Sequence, residues 1–235
     1  MKIEILYPEL CNLYGDRGNM DYLKACLQAE YLETSVTDTP RFPEGDVDLV
    51  YLGSMTERSQ ERILSLLLPY REKIAELAAT GRTLFFLTGN AMELCCRVIR
   101  KEDGAELQGL GLSNCEAEQI YPKRANSLCL FTLGELAVTG YTSRFSHLKG
   151  LQAEEALFTV RRGLGAGPDC PYEGIRLPGI LGTYLLGPIL PSNPPFAEYL
   201  LKLMGVEKPV LAFEAAAREA YERRLAEYQN PATRL

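Results

Sequence analysis

Short apolar runs alternate with amphipathic segments along the first half of the chain. Lys2–Tyr7, Val47–Leu52 and Leu84–Leu87 are short and rich in apolar residues, as expected of strands buried in a parallel sheet. Apolar positions three and four apart predict helices from Asn19 to about Glu30, and from Thr56 to near Gly81. Alternating strands and helices are typical of a doubly wound α/β fold with a mostly parallel sheet.

Weaker signals refine this pattern. Pro69 is expected to split the second helix, and Thr56 is a suitable N-cap with Glu57 in the first turn. A weak strand is predicted over Glu33–Thr37. Isolated loop residues Asp16 and Arg17 lie after the first strand, and the pattern leaves open whether they pair with each other or contact a partner.

The stretch Gly81–Arg100 carries the strongest indication of a site. A buried strand is followed by the turn Thr88-Gly89-Asn90, and Met92, Cys95, Cys96 and Ile99 predict a helix from residue 91 to residue 100. A strand, a sharp turn and a helix would place Thr88 at the carboxyl end of a strand and at a helix N-terminus. Ligands bind at this edge of α/β sheets, and nucleophiles are presented there.

The second half of the chain has a different pattern. Shorter strand-like pieces predict additional antiparallel strands over residues 117–121, 127–130, 135–138, 156–160 and 182–186, with helices over 196–203 and 209–228. The glycine-rich segment Arg161–Gly174 is interpreted as a hairpin tip, since no strand and helix frame it as a phosphate loop. We find no linker that divides the chain, so residues 1–235 are expected to form a single domain.

Composition excludes several classes of function. Hydrophobic residues make up 46% and charged residues 24%, which is ordinary for a globular protein, and the net charge of −6 argues against nucleic-acid binding. No apolar run is long enough to span a membrane. Seven cysteines without a C-x-x-C pair, and a single histidine, argue against a metal site and favour reduced thiols in the cytoplasm. No cofactor is expected.

Four segments carry a resemblance to a known family. They are Leu6–Asn19 (LYPELCNLYGDRGN), Leu52–Glu61 (LGSMTERSQE), Phe86–Leu94 (FLTGNAMEL) and Ile180–Leu201 (ILGTYLLGPILPSNPPFAEYLL). In order and spacing they resemble class I glutamine amidotransferases of the cobyric acid synthase (CobB/CobQ) type. The resemblance is strongest to the GatD-type glutaminase subunits of lipid II isoglutaminyl synthases.

The resemblance implies a three-layer, flavodoxin-like fold and a role in amidating peptidoglycan precursors beside a Mur-ligase-like (MurT-type) partner, with glutamine as a possible ligand. By the same resemblance, Gly53, Ser54 and Gly89 correspond to the substrate-binding turns, and Arg124 to a substrate-site arginine. The family's nucleophilic cysteine corresponds to Thr88 and its histidine base to Leu186.

These two departures affect the chemistry directly. Glutamine hydrolysis needs a thiolate and a base that protonates the leaving ammonia, and leucine transfers no proton. Loss of a nucleophile or its base costs about 10⁴–10⁶ in rate in well-studied hydrolases. The sequence therefore predicts a catalytically degenerate subunit.

Three ways in which glutaminase activity could persist, and two other functions, stay open at this point. His147 could act as a displaced base, Cys95 or Cys96 as a displaced nucleophile, and Thr88 as a nucleophile itself. The sequence leaves three functions open: a non-hydrolysing GatD-like subunit, an active glutaminase with a displaced catalytic group, and a small-molecule-binding regulatory protein.

Overall fold

The computed structural model describes residues 1–233 and is built around one large mixed sheet. The strands are β1 Lys2–Leu6, β2 Glu30–Thr34, β3 Leu49–Leu52, β4 Leu84–Thr88, β5 Val98–Arg100, β6 Glu106–Gln108, β7 Glu116–Gln119, β8 Ala125–Leu133, β9 Leu136–Arg144, β10 Ser146–Lys149, β11 Ala156–Arg162, β12 Tyr172–Leu177 and β13 Ile180–Thr183. The α-helices are α1 Gly18–Cys26, α2 Glu57–Leu67, α3 Arg71–Ala79, α4 Ile189–Ser192, α5 Pro194–Leu203 and α6 Glu214–Gln229.

The large sheet has the order β2-β1-β3-β4-β13-β12-β11-β8-β9. The pairs from β2 to β13 are parallel, and those from β13 to β9 are antiparallel. The α/β fold is therefore confirmed, but the expectation of a mostly parallel sheet is inexact. Strands β8 and β9, and β11 to β13, follow one another through short connections without a helical crossover, which forces antiparallel pairing.

Helices and a second sheet cover the two faces of the large sheet. One apolar core joins it to α2, α3 and the small sheet β10-β7-β5-β6. The other core joins it to α1, α4 and α5. Layers on both faces explain why the central strands are apolar on both sides.

Several local predictions are confirmed. Thr56 caps α2, its hydroxyl accepting a hydrogen bond from the Ser59 amide at 3.1 Å, and a 3₁₀ turn at Pro69 separates α2 from α3. Strand β2 begins three residues before the predicted Glu33. The segment Arg161–Gly174 connects β11 to β12 as a hairpin, although β12 starts inside it.

The helix predicted over residues 91–100 is wrong. A 3₁₀ segment, Gly89–Cys95, follows β4 directly, and the chain then enters β5. The predicted apolar positions are buried all the same, because the 3₁₀ segment and β5 both pack into the core on this face of the large sheet. Spacings of three and four residues also fit a tight turn followed by a strand, and tertiary pairing decided between the two.

The last strand is also displaced from its prediction. Strand β13 ends at Thr183, so Leu186 lies beyond the sheet. Within residues 1–233, no helix combines the length and the apolar character needed to cross a bilayer.

Candidate functional site

A cleft of about 120 Å³ opens at the carboxyl ends of the central parallel strands. It is lined by Leu13, Tyr14, Ser54, Met55, Thr56, Glu57, Gly89, Asn90, Arg124, Ser143, Arg144, Phe145, Ser146, Tyr184 and Leu186. The turns after β3 and β4 form one wall, and the end of β9 forms the opposite wall. The cleft lies where ligands bind in α/β sheets, and the structure brings Ser54, Gly89, Arg124 and Leu186 together in it.

Thr88 lies at the end of β4 but does not line the cleft. Its side chain is fully buried, and its hydroxyl donates to Asp16 Oδ2 at 2.6 Å. The phenol oxygen of Tyr51 lies 3.0 Å from the same hydroxyl. Thr88 is thus held in a buried hydrogen-bond network.

Asp16 is the centre of that network. Its carboxylate also accepts hydrogen bonds from the Ser54 amide at 2.7 Å and from the Asn19 side chain at 3.4 Å. Burial raises the pKa of Asp16 to about 6, and the bonds from Thr88 and Ser54 oppose that rise. Asp16 does not pair with Arg17, which instead forms an ion pair with Glu33 at 2.7 Å.

Leu186 packs against the turn that follows Thr88. A Cβ atom at Gly89 would lie 3.0 Å from Leu186 Cδ2 and 2.5 Å from Ser54 Cβ. Gly89 has a φ of +59°, so glycine is required there by both conformation and space. An aliphatic side chain therefore covers the floor of the cleft next to position 88.

The amides of the turn after β3 are already engaged. Ser54 N donates to Asp16, and Met55 N donates to Asn90 Oδ1 at 3.0 Å. Gly53 lies against the backbone of the loop after β1, since a Cβ atom at Gly53 would be 2.3 Å from the carbonyl oxygen of Cys11. A turn whose amides bind side chains has fewer donors to offer a developing oxyanion.

Two arginines line the cleft, the buried Arg144 and the exposed Arg124. The Arg124 guanidinium donates to Ser143 Oγ at 3.1 Å and to the Tyr14 hydroxyl, and it lies 4.3 Å from the centroid of the Phe145 ring. Among residues 1–233 no carboxylate lies within ion-pair distance of it. A positive charge with only neutral partners favours an anionic group in the cleft.

The histidine and the two cysteines that could replace a missing catalytic group do not line the cleft. His147 is on β10, opposite Glu118 of β7, and burial together with the nearby Arg144 lowers the pKa of its imidazole. Cys95 and Cys96 are buried, and burial raises the pKa of Cys95 to about 12 and that of Cys96 well above its usual value. Both thiols are protonated at neutral pH, so neither is an activated nucleophile.

Two buried carboxylates beneath the cleft were not found from the sequence. Glu93 accepts hydrogen bonds from Gln60 Nε2 at 2.8 Å and from Ser146, and burial raises its pKa. Glu173 accepts from the Tyr184 amide at 2.7 Å and from Thr183 Oγ1 at 2.9 Å, and burial raises its pKa to about 7. No local pattern separates these positions from exposed charges. Residues 1–233 contain no group of three acidic, histidine or cysteine side chains arranged to hold a metal.

Comparisons with known proteins agree with this architecture. The subunit GatD of the glutamine-hydrolysing lipid II isoglutaminyl synthase from Staphylococcus aureus (strain N315) is 27% identical over 208 residues, which cover 86% of this chain and 83% of GatD. A crystal structure of a glutamine amidotransferase superimposes with a TM-score of 0.59 at 14% identity, over 86% of this chain and 99% of that one. The structure of PurLQS from Thermotoga maritima gives a TM-score of 0.57 at 13% identity, over 86% of this chain and 98% of that one.

The two structural matches share the fold with this chain, and the sequence match extends to the segments that form the cleft. Residues 2–194 match the CobB/CobQ-like glutamine amidotransferase domain, which spans most of the chain and includes β4, the turn after it and Leu186. The chain therefore belongs to the CobB/CobQ-like glutamine amidotransferase family.

Proposed function

We propose that the chain is a GatD-like subunit of a lipid II amidating complex and that it does not hydrolyse glutamine. It acts in the cytoplasm beside a Mur-ligase-like partner, which takes free ammonia. The similarity to GatD over 86% of the chain supports the pathway and the partner. All seven cysteines are free, in keeping with a reducing compartment.

The observation that carries the proposal is the state of Thr88. Its hydroxyl is buried and donates to Asp16, so its proton is directed away from any substrate. Asp16 accepts this hydrogen bond and is itself buried outside the cleft lining, so it is not placed to protonate a leaving group there. Leu186, at the family's base position, offers no proton transfer.

The engaged amides support the same conclusion. Glutamine hydrolysis passes through a tetrahedral oxyanion, which amidotransferases stabilise with preorganised donors. Here the Ser54 and Met55 amides are bonded to Asp16 and Asn90. The cleft therefore lacks the nucleophile and the base, and two of its amides are unavailable.

Arg124 favours one second candidate, a subunit that binds a small carboxylate without chemistry. Its guanidinium faces the cleft with neutral partners only, as described above. An active glutaminase with a displaced group has no comparable support, because His147, Cys95 and Cys96 lie away from the cleft lining.

The nitrogen source of the complex tests the proposal. The chain is mixed with the Mur-ligase-like subunit of the same organism, ATP and a lipid II substrate, and amidated product is measured with ammonium or with glutamine as the only source. We expect product with ammonium alone. Product formed from glutamine at a comparable rate, and abolished by Thr88→Ala or His147→Ala, would overturn the proposal.

A further inference from the structure

The two edges of the large sheet differ in how their backbone groups are paired. At the β9 edge, the Tyr221 hydroxyl donates to the Ala137 carbonyl at 2.9 Å. The Asn193 side chain bonds both the amide and the carbonyl of Thr139, each at 2.9 Å, much as a neighbouring strand does. Side chains from outside the sheet therefore occupy this edge and leave little of it free for another strand.

The β2 edge is open. The Glu30 amide donates to the Met1 carbonyl at 3.0 Å, so the even-numbered residues of β2 direct their backbone groups toward β1. Because successive residues of a strand point their backbone groups to opposite sides, the amides and carbonyls of Tyr31 and Glu33 face outward. Within residues 1–233 these groups have no hydrogen-bond partner.

Strand β2 also lacks the features that protect exposed edges. It contains no proline or lysine, and its five residues pair with β1 in an unbroken register without a bulge. Its acidic side chains have local counter-charges. Glu33 forms an ion pair with Arg17 at 2.7 Å, and Glu30 lies in a groove beside Lys2 and Arg41. The edge is therefore a template for a further strand.

We propose that β2 pairs with β2 of a second copy of this chain, antiparallel and around a two-fold axis at Leu32. In this register Tyr31 lies opposite Glu33 of the second copy, and the two residues exchange both of their outward hydrogen bonds. The symmetry repeats the exchange on the other side of the axis, so all the outward groups of Tyr31 and Glu33 are satisfied. The large sheets of the two copies become continuous.

Charge on the α1 side of the sheet fits this pairing. Lys24 of α1 lies 5.4 Å from the centroid of the Tyr31 ring and only 3.6 Å from a carboxylate oxygen of its own Glu33. Glu33 of the second copy, opposite Tyr31, would lie beside the same ammonium group. Arg17, Asp21, Lys24 and Glu33 carry two charges of each sign, so two such surfaces meet without net repulsion.

Space on the other face of β2 fits it as well. Leu32 borders a groove of about 330 Å³ between the strand and residues 38–41. The Leu32 residues of the two copies form the pair on the axis that exchanges no hydrogen bonds, where side chains approach most closely. Each half-buried leucine therefore covers the other. Neither β2 nor residues 38–41 line the cleft, so the inference is independent of the proposed function.

Cysteine cross-linking tests the register. In the proposed pair the two Leu32 Cα atoms are about 4.5 Å apart, within disulfide range. Glu30 lies on the same face of β2, but its two copies would be about 14 Å apart, well beyond that range. Leu32→Cys is therefore oxidised and run on a non-reducing gel with Glu30→Cys as the matched control. The unmodified chain, with its seven cysteines, gives the background.

Sedimentation of the full chain measures the association itself. Leu32→Lys places like charges opposite each other on the axis, and Leu68→Lys, at a leucine that is 38% exposed between α2 and α3, is the matched control. Circular dichroism confirms that each variant is folded.

We expect twice the mass of one chain, a dimer Kd raised at least tenfold by Leu32→Lys and unchanged by Leu68→Lys, and a covalent dimer from Leu32→Cys alone. A chain that stays monomeric at high micromolar concentration overturns the inference, as does a dimer that Leu32→Lys leaves intact or that Glu30→Cys cross-links instead. A monomeric chain whose binding to the Mur-ligase-like subunit is weakened by Leu32→Lys would assign the edge to a strand of that subunit and also overturn it.

Discussion

Replacing Thr88 by valine tests whether this residue is structural. Valine keeps the shape of threonine but removes the hydroxyl that donates to Asp16 at 2.6 Å. The side chains of Thr88 and Asp16 are both fully buried, so water does not replace the lost hydrogen bond. Thr88→Ser, which keeps the hydroxyl and removes one methyl group, is the matched control.

The cost depends on the charge of Asp16. Burial raises its pKa to about 6, so it is mainly protonated near pH 5 and mainly ionised near pH 7.5. A hydrogen bond to a charged acceptor contributes roughly 1.5–3 kcal/mol, and a neutral one about 0.5–1.5 kcal/mol. Without the Thr88 donor, the ionised carboxylate of Asp16 loses more stabilising free energy than the protonated carboxyl group does. The pKa of Asp16 in the folded protein therefore rises further. The destabilisation by Thr88→Val should therefore grow as the pH rises through about 6.

Urea unfolding near pH 5 and near pH 7.5 measures this difference. We expect Thr88→Val to lose about 1 kcal/mol at the lower pH and about 2 kcal/mol or more at the higher pH. Thr88→Ser should show no such dependence on pH. Equal stability of Thr88→Val and the unmodified protein at both pH values would refute the structural role assigned to this hydroxyl.

Three further outcomes follow from the site and its surroundings. The double variant Thr88→Cys with Leu186→His should release ammonia from glutamine at least about 10²-fold more slowly than an intact family glutaminase, because two amides of the cleft remain engaged; a rate within tenfold of that enzyme would contradict this reasoning. Gly89→Ala should destabilise the fold by about 2 kcal/mol or more in thermal unfolding, whereas Gly15→Ala, also at positive φ but with open space around it, should cost about 1 kcal/mol; equal costs would exclude the contact argument. Burial raises the pKa of Glu173 to about 7, so the folded state keeps a proton that the unfolded state releases, and the free energy of unfolding falls by about 3 kcal/mol as the pH rises from about 4.5 through 7. Glu173→Gln should flatten that decline, and an unchanged pH profile would show that Glu173 does not cause it.

The sequence was a good guide where a local pattern has one physical solution. Apolar runs without polar alternation gave the central strands, and Thr56 followed by Glu57 gave the start of α2, because capping and dipole effects act within one turn. Pro69 interrupted the helix as its missing amide requires.

The errors arose where distant contacts decide between two local solutions. Residues 91–100 have helical spacing but form a 3₁₀ segment and β5, because β6 and β7 pair with that strand. The mixed direction of the sheet likewise depends on how β8 to β13 connect.

Of the residues singled out for the site, Ser54, Gly89, Arg124 and Leu186 line one cleft, whereas Thr88 is buried and does not line it. Thr88 and Leu186 were singled out by motif position, but the bond from Thr88 to Asp16 joins residues 72 apart in sequence. The buried carboxylates Glu93 and Glu173 have no local signature, since a charged residue is buried only when the tertiary structure supplies its donors.

Ammonia release from glutamine tests the central claim most directly. The purified chain, alone and with its Mur-ligase-like partner, is incubated with glutamine, and ammonia is measured against a matched sample that carries Thr88→Ala. The account predicts the same background release from both proteins, because Thr88 is a buried donor to Asp16 and Leu186 cannot act as a base. Release above background that Thr88→Ala abolishes would contradict it.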